Sequence, residues 1–117
     1  MSILKFLNSF KYALYGLKKI FREEQNFQIH SFCAGVVILL SIFKFHFNYI
    51  ELSLTFICIA LVLAIEIVNT AIENTWDHLE PNHNPVVKTV KDMMAAAVMI
   101  VSIFSAIVWV LLIVNRY

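Results

Sequence analysis

Residues 52–77, LSLTFICIALVLAIEIVNTAIENTWD, decide how this chain folds. The first part, 52–65, carries no charge. Glu66, Asn69, Thr70, Glu73 and Asp77 then follow at i, i+3, i+4, i+7 and i+11. On an α-helix that spacing gathers all five on one stripe. The uncharged run predicts a helix in a membrane, where an ionisable residue is costly and marks a candidate functional site. A stripe of carboxylates at a membrane surface needs cations to be tolerable. That points to a metal, and through it to phosphate chemistry on a lipid.

The rest of the chain supports a membrane setting. Apolar residues make up 61% of the 117 residues, above the roughly 45–50% of soluble domains. One domain is all this length allows. A bilayer span needs ~20 mostly apolar residues. Three segments qualify, read as 28–48, 50–76 with a cytoplasmic extension, and 86–115. Phe45 and Phe47 lengthen the first, and Lys44 can snorkel from its end. A soluble all-α domain would need more polar surface. Residues 1–24 read as a surface helix, with Ile3, Phe6, Leu7, Phe10, Leu14, Leu17 and Phe21 recurring at three and four. Lys5, Lys11, Lys18 and Arg22 lie mainly on its other faces, as in helices of the membrane interface. A simple anchor accounts for most of these residues as well. The first twenty residues lack a signal-peptide pattern. Cys33 and Cys58 fall in the spans without zinc spacing and read as packing residues.

Lys5, Lys11, Lys18, Lys19 and Arg22, five of the nine basic residues, precede the first span. The positive-inside rule then puts the N-terminus in the cytoplasm. Residues 44–50 fall outside, 73–92 inside, and Arg116 outside. Asn48 suits the outer turn. Pro81 and Pro85, in EPNHNPVVK, end the second span and open the third. All acidic residues but Glu51 gather on the cytoplasmic side, where ATP is available. A net charge of +1 gives no reason to expect a nucleic-acid partner.

From Glu66 to Asp77 is ~16 Å of helix. Glu66 is therefore expected near or below the lipid head groups, with Glu73 and Asp77 in the aqueous interface. A carboxylate withdrawn from water is a better proton acceptor, suited to a lipid hydroxyl. A shallow one suits Mg²⁺, which takes one or two carboxylates plus substrate phosphates. A structural alternative makes Glu66 the partner of another helix. Lys91 can neutralise a transferred phosphate; alternatively Lys88, Lys91 and Asp92 are a snorkelling interfacial group. Ala95, Ala96 and Ala97 signal close helix packing. Glu24 reads by itself as a helix-end charge. The histidines have no paired metal spacing and are read as non-ligating, with only His83 near the nucleotide region. No glycine-rich phosphate loop exists, so a kinase here must hold ATP with side chains and metal.

Three segments resemble a known family. EIVNTAIENTWD (66–77) is similar to the E-x-x-N-[ST]-A-[IV]-E-x-x-x-D signature of the small bacterial membrane lipid kinases, the prokaryotic diacylglycerol kinases and undecaprenol kinases. VKDMMAAAV (90–98) resembles the A-K-D-x-x-[AS]-A-A-V motif that follows it. E-x-N-F-x-I-H (24–30) resembles the E-R-N-F-R-I-H segment of the Gram-positive branch, with Gln25 and Gln28 replacing its arginines. The resemblance implies an all-α membrane protein, a surface helix plus three transmembrane helices, assembled as a homotrimeric helical bundle with shared active sites. It implies ATP as donor, Mg²⁺ as cofactor and a membrane lipid alcohol as acceptor. Glu66 falls on the catalytic base, and Glu24 and Glu73 on the metal-binding glutamates. Asn69 and Asp77 fall on site-lining positions, with Thr70 beside them. Lys91 and Asp92 fall on the nucleotide-contacting pair, and Lys5 and Tyr12 on ATP-contacting positions. The loop 78–86 has its own sequence, so no adenine contact carries over. The competing classes are a non-catalytic membrane scaffold and a cation-transport subunit. The scaffold leaves the acidic stripe unexplained. The transporter would want a polar path across the bilayer, and the outer halves of the spans show none.

Overall fold

A computed structural model describes residues 2–117. The element order is α1 (Ile3–Glu23), α2 (Gln25–Leu39) continued by one π-helical turn (Leu40–Lys44), α3 (Tyr49–Leu79) and α4 (Pro85–Arg116). Gln25–Lys44, Tyr49–Leu79 and Pro85–Arg116 are each long and apolar enough to cross a bilayer. The chain is thus an all-α membrane protein. At 1.5 Å per residue, the 31 residues of α3 run ~46 Å, well beyond a ~30 Å hydrocarbon core. Its last turns, carrying Glu73 and Asp77, therefore project past the apolar layer when its uncharged part is centred in it.

Three of the four α-helices begin at a side-chain cap. Ser2 caps α1 by accepting from the Lys5 backbone N–H at 3.1 Å. Asn48 caps α3 in a reciprocal box: its Oδ1 accepts from Glu51 N–H, and Glu51 Oε1 accepts from Asn48 N–H, both at 2.9 Å. Asn84 caps α4 by accepting from Val86 N–H at 2.9 Å, with Pro85 in the first helical position.

The first span ends earlier than the expected residue 48. The helix stops at Lys44, and 45–48 form the turn. His46 takes a positive φ of 51°, which ends a helix. Phe47 N–H then donates back to Ser41 O at 2.8 Å. The aromatic residues that lengthen the hydrophobic run fold over the bundle end instead of extending the span. Phe45 stacks edge-on against Trp109 and Tyr117, and Trp109 Nε1 donates to the buried Ser41 hydroxyl at 2.9 Å.

The same end carries an ion pair. Arg116 Nη1 donates to Glu51 Oε1 at 2.6 Å, and Glu51 is 7% exposed. Removing the guanidinium strands a buried carboxylate, so Arg116→Met is expected to destabilise the protein by about 1–3 kcal/mol. Glu51→Gln in the same chain should recover part of that loss. Thermal unfolding of the single and double variants in one detergent checks both expectations.

The interior is thin. The apolar windows of the three spans are 11%, 17% and 0% buried, so most of each helix surface is left for lipid or other chains. Ile20 is the one buried residue of α1, and Leu4, Phe6, Leu7, Phe10 and Leu14 are exposed along it, as an interfacial helix requires. Ala95 and Ala96 also face outward, and Cys33 is exposed where tight packing was expected.

Candidate active site at the α1, α3 and α4 end

Glu24 sits at the corner where the surface helix becomes the first span. Its backbone is extended (φ −108°, ψ 111°). Its N–H donates to Ile20 O, closing α1, and its carbonyl accepts from Gln28 N–H, opening α2. Gln28 Nε2 also donates to Phe21 O at 2.8 Å, satisfying a carbonyl left over at the end of α1. Phe21 and Phe27 meet edge-on across the bend, and Phe27 is buried. The corner is thus held from both sides, with Glu24 half-buried in it. Gln28, one of the departures from the family pattern, is a structural part of this bend.

A cleft of about 160 Å³ opens beside Glu24. Lys19, Glu23 and Glu24 lie along one wall; Thr70 and Asn74 of α3 lie along the other. Along the α3 stripe, burial against the rest of the protein differs from residue to residue. Glu66 is 3% exposed, Thr70 is buried, Asn69 and Glu73 are half-buried, and Asp77 is exposed. Asn69 Nδ2 lies 3.5 Å from Glu73 Oε1, one turn away. Asn69 Oδ1 is buried without a hydrogen-bond partner.

The α4 residues approach from the far side of the 80–84 turn. Lys91 Nζ donates to Asp77 Oδ1 across fourteen residues. Lys88 Nζ donates to Asp92 Oδ2 at 2.7 Å, one turn along α4. The neighbours Lys91 and Asp92 therefore pair with different partners and not with each other. Lys88, Asp92 and Asp77 are exposed and Lys91 is half-buried, so each pair contributes little to stability and can open for a ligand.

Some expected members stay apart. Lys5 and Tyr12 project as exposed side chains from α1, and neither bonds to the acidic stripe among the described residues. No set of three His, Cys, Asp or Glu side chains converges on one point among the described residues.

One neighbour of the stripe is not legible in the sequence. His30, read as non-ligating and not as a neighbour of the nucleotide region, places Nε2 3.1 Å from Glu66 Oε1. Its placement four residues before Ala34 and seven before Val37 puts it with them on the inner face of α2. All three line an apolar cavity of about 340 Å³ between α2, α3 and α4.

Comparison with known proteins matches the sequence to one family. The family described as Prokaryotic diacylglycerol kinase matches residues 11–113. The undecaprenol kinase of Bacillus subtilis (strain 168) is 34% identical over 108 residues, covering 92% of this chain and 87% of that protein. The diacylglycerol kinase of Haemophilus influenzae is 34% identical over 103 residues, covering 88% and 86%. That of Synechocystis is 32% identical over 103 residues, covering 87% of this chain and 58% of its own length. With that family matched over most of its length and relatives 34% identical, the chain, with its three membrane-length helices, belongs to the prokaryotic diacylglycerol kinase family.

Proposed function

We propose that this protein transfers the γ-phosphoryl group of ATP to the hydroxyl of a membrane lipid at the cytoplasmic face, feeding lipid-carrier or phospholipid recycling. The observation that carries the reading is Glu66: a carboxylate 3% exposed, at the inner end of an apolar span, on one stripe with shallower acidic residues. The lipid hydroxyl oxygen attacks the γ-phosphorus. Its proton passes to the Glu66 carboxylate, and the bond to the β-phosphate oxygen breaks to release ADP. Positioning and electrostatics carry most of such a transfer. Lys91, released from Asp77, supplies positive charge to the phosphates, with Asp92, Lys5 and Tyr12 on the nucleotide.

The donor set fits Mg²⁺. Asn69 Oδ1 is a buried acceptor without a partner, and it shares a side chain with the amide directed at Glu73. A hard cation that keeps waters and phosphate ligands needs only one or two carboxylates. Glu73 and Glu24 would hold it, and when bound it neutralises charge on the phosphates.

Undecaprenol is the acceptor we favour over diacylglycerol, on the 24–30 segment and the match to an undecaprenol kinase. The test is γ-phosphate transfer from ATP by the purified protein to each lipid in one detergent. Magnesium-dependent phosphorylation of undecaprenol at the higher kcat/KM supports the reading. ATP consumption that neither lipid stimulates would overturn it. The uncovered apolar faces also support a homotrimer, with neighbouring copies completing the sites.

The orientation follows from the basic N-terminal segment. A cysteine at the exposed Asn82 should resist an impermeant thiol reagent in intact cells. One at Tyr49, 79% exposed, should react. Tyr49 is a better probe than Asn48, whose side chain caps α3. The reverse labelling would put the acidic stripe on the side without ATP.

A further inference from the structure

Glu66 is the deepest carboxylate of the stripe, and its partner comes from another span. His30 Nε2 lies 3.1 Å from Glu66 Oε1, with the imidazole 31% exposed and the carboxylate side chain 4% exposed. The ring borders the apolar cavity between α2, α3 and α4. The buried Phe27 lies three residues before it on α2. A buried carboxylate without a donor is costly, and a flexible glutamate without one has no fixed direction.

Several other ionisable groups at this end have other partners or line other spaces. On α3 itself, Glu73 takes the Asn69 amide. On α4, Lys91 and Asp92 hold Asp77 and Lys88. On α1 and its corner, Lys19, Glu23 and Glu24 line the cleft beside Thr70. On α2 and α3, the Cys33 and Cys58 thiols line the apolar cavity. Among the described residues, only His30 forms an ion-pair contact with Glu66.

We infer that His30 is a positioning residue for the phosphoryl-transfer base. In that role an N–H on Nε2, which lies 3.1 Å from Glu66 Oε1, donates to the carboxylate, fixes it against α2, and leaves Oε2 to take the proton of the lipid hydroxyl. The inference rests on the reading of Glu66 as base. It assigns His30 a part in turnover that does not involve holding the nucleotide.

The experiment compares His30→Ala, His30→Gln, Glu66→Gln and the His30→Ala/Glu66→Gln double variant of the full chain, purified in one detergent. Lipid-phosphorylation kcat and the KM for ATP are measured for each. Misplacing a reacting group by about 1 Å costs ~10²-fold, so His30→Ala should lose ~10–10²-fold in kcat at unchanged ATP KM. His30→Gln keeps an N–H donor at similar reach and should recover most of that loss. In the Glu66→Gln background, His30→Ala should cause no further loss, because both changes act through one group. The inference is overturned if His30→Ala matches wild type, if His30→Gln is as slow as a folded His30→Ala, or if the two losses multiply. Should His30→Ala fail to fold, His30→Gln carries the test: near-wild-type kcat supports the donor role, and a large loss overturns it. Glu66→Gln at wild-type rate would instead sink the base assignment itself, so the two failures are distinguishable.

Discussion

Glu66→Gln is expected to lower lipid phosphorylation at least ~10²-fold, within the ~10²–10⁴-fold range of general-base catalysis, while nucleotide affinity stays at the wild-type value. The substitution keeps the shape of the side chain and an oxygen facing His30 Nε2, so the close approach of α2 and α3 at this point is kept. What it removes is the ability to take a proton. Nucleotide binding should persist because the groups assigned to it lie further along α3 or on other helices. Glu73 is two turns beyond Glu66, Lys91 is on α4, and Glu24 is at the α1–α2 corner. The measurement pairs the phosphorylation rate with nucleotide affinity for the same purified variant. If affinity falls with rate, Glu66 organises the site, and the base is Asp77 or a bound water.

The distinction matters because a buried carboxylate beside a histidine can also be a structural pair. Breaking a buried pair costs stability by leaving the other member unpaired. A glutamine avoids that cost. Loss of rate without loss of thermal stability therefore separates chemistry from architecture at this position.

Much of this fold is legible along single helices. The α3 stripe follows from helical periodicity alone. The start of α4 follows from Asn84 and Pro85, a local cap. Contacts between helices are not legible this way. His30 and Glu66 meet through the relative register of α2 and α3, which no spacing encodes. Lys91 finds Asp77 around a hairpin, and Arg116 finds Glu51 across 65 residues. The first span ends at Lys44, short of its hydrophobic run, for a related reason. Phe45 and Phe47 are apolar enough to extend a span, but their rings pack back on Trp109 and Tyr117 or against the turn itself. Hydropathy records that a residue avoids water, without recording whether lipid or a neighbouring helix covers it.

Glu73→Gln should weaken the dependence on magnesium and nearly abolish turnover while the protein still assembles. The amide can still accept from Asn69 Nδ2, which lies 3.5 Å from the Glu73 carboxylate, so the helix surface stays intact. The negative charge is lost, however, and Mg²⁺ at sites of this kind relies on one or two carboxylates. Disturbing even the partners around a metal ligand costs ~10–100-fold, so replacing a direct ligand should raise the magnesium needed for half-maximal rate by at least ~10-fold. Rate against Mg²⁺ concentration at fixed ATP shows this directly, with Glu66→Gln as the contrast. The base variant should be slow at every magnesium concentration with an unchanged midpoint. The Glu73 variant should have a displaced midpoint and a reduced ceiling. Glu24→Gln should displace the midpoint in the same direction if Glu24 holds the same ion as Glu73, as proposed above. An unchanged midpoint in Glu73→Gln would remove that residue from the metal site. Glu24 and the unpartnered Asn69 oxygen would then be left as the donors to examine.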